Sequence, residues 1–153
     1  MRDVRIRLFA EELTRNLAQS FRRPGLSLEL DADITTALMI DRAIPMGLAL
    51  VEAVMAGLRT SGPRAIRVAL SEGADRRLEL RITTDGALPA NMPDGRLMSG
   101  LALQLGAEVE PCGPGEILHW RFQGAPPPMV KPLEEAASRP VDVVETRRPQ
   151  RLA

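Results

Sequence analysis

The chain has 153 residues, a 44% hydrophobic composition and equal numbers of basic and acidic side chains. That is enough for one domain with a real core, and it carries no charge bias toward nucleic acid or an anionic membrane. No apolar run approaches the roughly 20 residues of a membrane span. The stretch MRDVRIRLFAEELTRN lacks the apolar centre of a secretory leader, and the single Cys112 permits neither an internal disulfide nor a cysteine zinc cluster. The expected setting is cytoplasmic.

In chain order, residues 3–22 read as an amphipathic helix, with Phe9, Leu13, Leu17 and Phe21 at four-residue spacing and Arg23-Pro24-Gly25 as its stop. LSLEL (26–30) alternates as a half-buried strand, and TALMI (36–40) is a second short strand. DRAIPMGLALVEAVMAGLRT (41–60) follows as a helix, with Asp41 as N-cap and Pro45 in the first turn. At about 100° per residue, Ile44, Val51, Val54, Met55 and Leu58 form its core stripe, and Glu52, Ala56 and Arg59 share the adjoining side. IRVALSE (66–72) and RLELRITT (77–84) are strands joined as a hairpin. After a Gly/Pro-rich loop, Asp94 caps a helix over 95–106 that ends on Gly106. AEVEPC (107–112) and EILHWRFQ (116–123) close the sheet as a second hairpin. Alternation in the last strand sets Leu118, Trp120 and Phe122 on one face and His119 with Arg121 on the other, making His119 a surface strand residue.

This order predicts an α+β sandwich, a mixed and mostly antiparallel sheet with helices packed on one face. The chain divides into residues 1–25, an N-terminal helix; 26–123, the sheet-bearing domain; and 124–153, a tail. The tail holds Pro126, Pro127, Pro128, Pro132, Pro140 and Pro149 with little apolar periodicity, and by composition it is a disordered segment.

Residues 41–60 resemble the first nucleotide-binding helix of the HWE/HisKA_2 group of bacterial sensor histidine kinases, whose ATPase domain has the GHKL (Bergerat) fold. Their stretch runs approximately D-x-A-I-P-x-G-L-x-x-N-E-L-x-x-N-A-L-K-H. This chain keeps Asp41, Ala43, Ile44, Pro45, Gly47, Leu48, Glu52 and Leu58, and has Val51 and Ala56 where the family has its asparagines. Ile82-Thr83-Thr84-Asp85-Gly86 and Leu103-Gln104-Leu105-Gly106 match two further family stretches, and the resemblance covers residues 3–123.

The resemblance implies a site from which much of the chemistry is missing. In the kinases the helix glutamate, here Glu52, helps activate the reacting group, and the asparagine replaced by Ala56 holds Mg²⁺. Ala56 has no oxygen for a hard cation. The counterpart of Asp85 accepts a hydrogen bond from the adenine amino group, and glycines such as Gly86 let the backbone approach the nucleotide. The family's second glycine there is missing, and of the later phosphate-binding glycine turn only Gly95 remains, preceded by Asp94. Asp85, Gly86, Gly95 and Arg59 are therefore the vestigial nucleotide cleft and Glu52 a vestigial catalytic residue, with no metal ligand. Each lost contact to phosphate or metal costs on the order of 1.5–3 kcal/mol, or one to two decades of affinity. Only His119 could accept a phosphoryl group, and it lies in a strand rather than on a helical hairpin.

Read this way, the protein is a degenerate, non-catalytic kinase ATPase-like domain without cofactor. It acts as an interaction module in two-component or phosphorelay signalling, with a kinase or response regulator as partner. Alphaproteobacterial histidine phosphotransferases, whose ATPase-like domain has lost nucleotide binding, are similar. The N-terminal helix is then a remnant of the dimerisation-hairpin linker, and Val4, Ile6 and Phe9 could mediate a homodimer or else be intramolecular core. The alternative is an ATP-binding kinase domain, weakly holding Mg-ATP, that acts on a histidine of another chain.

Overall fold

The computed structural model describes residues 3–60, 62, 64–88 and 94–124. Strand β1 (Asp3–Arg5) runs directly into helix α1 (Ile6–Ser20), and β2 (Ser27–Asp33) and β3 (Ala37–Met39) precede helix α2 (Ile40–Leu58). Then come β4 (Ala65–Glu72), β5 (Arg77–Thr84), helix α3 (Gly95–Leu105), β6 (Glu108–Val109) and β7 (Glu116–Gln123). The tail from residue 125 lies outside the described residues.

Five strands form one sheet in the order β2-β4-β5-β7-β6, with only the β2–β4 pair parallel. This is the expected mixed, mostly antiparallel sheet, and α2 is the crossover that a parallel pair requires. Alternation does the rest. Ile66, Val68 and Leu70, then Leu78, Leu80 and Ile82, then Leu118, Trp120 and Phe122 all lie within 2% of full burial and face the helices. Each such side chain contributes roughly 1.5–3 kcal/mol by leaving water. The β4–β5 turn closes through the Gly73 N–H donating to the Arg77 carbonyl at 2.8 Å, with Arg76 in the left-handed region at φ 66°.

Several expectations need correction. Residues 3–5 are strand rather than helix, because Val4 pairs with Leu38 of β3 in a separate two-stranded ladder. Ile40 opens α2 instead of ending β3, so Met39 is the N-cap, without a side-chain bond. Asp41 is therefore a first-turn residue, where its charge favours the positive end of the helix dipole. Pro45 lies inside the helix and is buried. The expected strand 107–112 shrinks to Glu108–Val109.

The helix stripes also shift. In α1 the buried residues are Ile6, Ala10, Thr14 and Leu17, while Phe21 is 40% exposed. Phe9 and Leu13 turn instead toward α2: a Cβ at Gly47 would stand 2.8 Å from Phe9 Cζ and 3.2 Å from Leu13 Cδ1. Gly47 is what lets the two helices approach. Ile6 is thus core, Val4 is half-buried in the β1–β3 ladder and Phe9 packs on α2.

In α2 the buried set is Ala43, Pro45, Met46, Gly47, Ala49, Leu50, Ala53, Val54, Ala56, Gly57 and Leu58. Ile44, expected in the core, is 52% exposed. The helix is apolar nearly all round, and its inward face combines the fully buried Met46, Leu50 and Val54 with small residues, of which Gly47 and Gly57 admit α1 and the sheet.

Candidate functional site

The expected cleft residues come from the second half of α2, the end of β5 and the start of α3. On α2, Ala56 is 1% exposed and belongs to the continuous apolar core. Glu52 beside it is half-buried, and Arg59, the C-cap residue, is exposed. Next to Ala56, Gly57 sits tightly over the sheet, where an added Cβ would stand 3.0 Å from Ile117 Cδ1 and 3.1 Å from Ile66 Cδ1. Arg42, two turns earlier than Ala49, reaches across to α3 and donates from Nη2 to the Leu105 carbonyl at 2.8 Å.

Asp85 follows β5 directly. Its Oδ1 accepts the backbone N–H groups of Arg64 at 2.7 Å and Ala65 at 3.1 Å. These two bonds hold its carboxyl below the usual carboxylate range. Asp85 thereby ties the end of β5 to the start of β4. Thr84, buried beneath it, accepts from the Gly86 N–H at 3.1 Å through its hydroxyl. The Thr84 carbonyl closes on Gly115, where a Cβ would stand only 2.9 Å away and φ is 78°. Glycine is needed at position 115 on both counts.

At the start of α3, Asp94 Oδ1 accepts the N–H groups of Arg96 at 2.9 Å and Leu97 at 3.3 Å. The predicted N-cap is present, and so is the predicted glycine stop, Gly106 at φ 72°. A carboxylate therefore occupies the helix-end donors that a phosphate would use. Gly95 is exposed, and a Cβ there would meet nothing within 4 Å. The rest of the expected lid, residues 89–93 with Pro93, lies outside the described residues.

The fit to Mg-ATP can be judged from these positions. Position 56 offers no oxygen, and no group of three His, Cys, Asp or Glu side chains could hold a metal among the described residues. Oδ1 of Asp85 is committed to backbone, and the α3 donors are capped. Open cavities lined by described residues lie along α1 and at the β4–β5 turn, and residues 89–93 beside the expected cleft lie outside the described residues.

On the helix-free face of the sheet lies a polar cluster that sequence reading did not anticipate. His119 Nε2 contacts Glu79 Oε2, and Arg81 Nη2 lies 3.1 Å from the same nitrogen. Arg81 Nε also pairs with Glu116 at 3.0 Å, and Arg121 Nε lies 3.7 Å from Glu79. The bond from His119, reinforced by the two arginines, holds the Glu79 carboxyl below its ordinary range. His119 is only 9% exposed, which corrects its expected surface position. Its face was read correctly, but the long side chains of neighbouring strands cover it, and Arg81 is its direct cross-strand partner. The alternation of Glu79, Arg81, His119 and Arg121 on one face was the available signal.

The sequence matches no family model and no curated protein. Its fold is nevertheless well represented among solved structures. The blue-light activated histidine kinase EL346 of Erythrobacter litoralis aligns with a TM-score of 0.69 at 18% identity over 79% of this chain. The mycobacterial sensor histidine kinase MprB aligns at 0.62 with 16% identity over 82% of this chain and 98% of its own. The catalytic domain of the histidine kinase ThkA aligns at 0.63 with 12% identity, covering 82% and 97%. The chain spans 46% of the EL346 structure, about half its length, and 66% of that protein's histidine kinase domain. At these identities the likeness shows the fold, that of histidine-kinase ATPase (GHKL) domains. Among the described residues no helix is long and apolar enough to cross a membrane.

Proposed function

We propose that this domain is a degenerate histidine-kinase ATPase-like domain of the HWE/HisKA_2 type that has given up catalysis. It works as a protein-interaction module in cytoplasmic two-component signalling, docking on a kinase or a response regulator. The observation that carries this reading is the α3 N-terminus, where the Asp94 carboxylate already takes the Arg96 and Leu97 N–H groups. Bringing a phosphate there would place like charges together and strip a cap worth about 1 kcal/mol. Ala56, buried and without an oxygen, supports the same reading from the metal side.

Titration with Mg-ATP tests it. A real binder would be stabilised by mass action, by about 2.7 kcal/mol at a hundredfold excess over Kd. The expected result is no rise in melting temperature at millimolar Mg-ATP. A metal-dependent dissociation constant in the micromolar range would overturn the proposal. One observation favours the second reading, a nucleotide-binding kinase domain acting on another chain's histidine. The Arg64 and Ala65 N–H groups both go to Oδ1 of Asp85, which leaves Oδ2 to accept an amino group. Adenosine without phosphates would then bind as well as Mg-ATP, through that contact alone.

A further inference from the structure

The outward side of α2 is apolar where a solvated helix would be charged. Ile40, Ile44 and Leu48 are 40%, 52% and 51% exposed, and Val51 and Met55, half-buried with one side against the core, continue the same arc. Taken at about 100° per residue, the five fall within a sector of roughly 80°. The spacing from Ile44 through Leu48 and Val51 to Met55 is four, three and four residues, the spacing of a helix-packing seam. That order is also palindromic. Reversing the helix about the level of Ala49 and Leu50 lays Ile44 over Met55 and Leu48 over Val51.

The charges obey the same reversal. Asp41 at the start of α2 and Arg59 at its end lie on the edge of the arc, both exposed and without an ion-pair partner among the described residues. In the reversed copy, Arg59 comes to the level of Asp41 to within one residue. A surface whose apolar stripe and flanking charges both survive reversal is what a two-fold interface demands, since the same patch must serve both subunits.

We infer that two copies of this chain associate through α2, antiparallel about a two-fold axis near Leu50. Leu48 packs on Val51 of the partner subunit, and Asp41 pairs with Arg59 of the partner subunit. This inference rests on the proposed loss of nucleotide binding at α2, because Val51 stands at one of the family's asparagine positions and Arg59 belongs to the expected cleft.

Sedimentation velocity on the full chain across a concentration series tests it. The wild type should reach twice the chain mass, and Leu48→Glu should remain a monomer. Circular dichroism should show Leu48→Glu folded, since the native side chain is half exposed. Asp41→Arg and Arg59→Asp should each weaken association about tenfold or more by setting like charges together. The double variant should return to within a few-fold of wild type, which a docking site for an unrelated partner would not produce. A wild type that stays monomeric throughout, a Leu48→Glu protein that still dimerises, or a double variant weaker than either single one would each overturn the inference.

Discussion

Replacing Ala56 with asparagine restores the side chain of the resembling kinases and asks whether this position faces a cleft or the core. An asparagine turned to solvent on a helix costs only about 0.7 kcal/mol relative to alanine. Ala56, however, is 1% exposed within the apolar core. An amide enclosed there without partners adds ~1–3 kcal/mol of lost hydration. The expected loss is therefore about 2–4 kcal/mol, a large part of the ~5–15 kcal/mol that holds a typical domain together. At roughly 4 °C per kcal/mol for a domain of this size, the melting temperature should fall by about 8–16 °C. Thermal melts by circular dichroism, with and without millimolar Mg-ATP, read both outcomes. A fall of ~3 °C or less, the cost of a solvated asparagine, would refute the burial argument. Recovery of stability on adding Mg-ATP would refute the reading of the capped α3 terminus.

Gly47→Ala should destabilise by ~1–2 kcal/mol, because a methyl 2.8 Å from Phe9 Cζ overpacks the α1–α2 contact by more than the helix gains from losing a glycine. In a Phe9→Ala background the same change should stabilise by up to ~1 kcal/mol, so urea unfolding of the four proteins gives a sign reversal, and the same sign in both backgrounds counts against the contact. Acid should weaken the domain through Glu79, whose folded-state carboxyl lies below its ordinary range. A depressed carboxylate contributes stability above its unfolded pKa and loses it as pH falls through the lowered folded value, so melting temperature should decline below about pH 4.5, where an unfolded glutamate protonates. Glu79→Gln should flatten that decline, and an unchanged slope would show that the carboxylate contributes nothing.

What the sequence made legible followed physical range. β4, β5 and β7 were readable because each alternates by itself, and α3 because Asp94 and Gly106 mark its ends with local chemistry. β1 was not, since three residues form a strand only against Leu38, more than thirty positions away. The stripe of α2 held at Val54 and Leu58, which are buried, and in part at Val51 and Met55, but Ile44 points out because small residues such as Gly47 and Gly57, which carry little hydrophobic weight, share the inward face with Met46 and Leu50. In the candidate site the identity of Asp85 was visible, but its bonds to Arg64 and Ala65, some twenty residues back, were not. Likewise the burial of His119 depends on Glu79 and Arg81 in a neighbouring strand.

The β1–β3 ladder stands outside the main sheet and has only three registered pairs, Asp3 with Met39, Val4 with Leu38 and Arg5 with Ala37. β1 continues into α1 and β3 into α2 without an intervening residue. Amide exchange should therefore begin here, at an opening free energy far below that of β4, β5 and β7. Such an opening would release the first turns of both long helices together and bare Leu38, which is 1% exposed in the closed form. The domain thus has a seam along which its amino-terminal corner can fray as a unit while the five-stranded sheet stays intact.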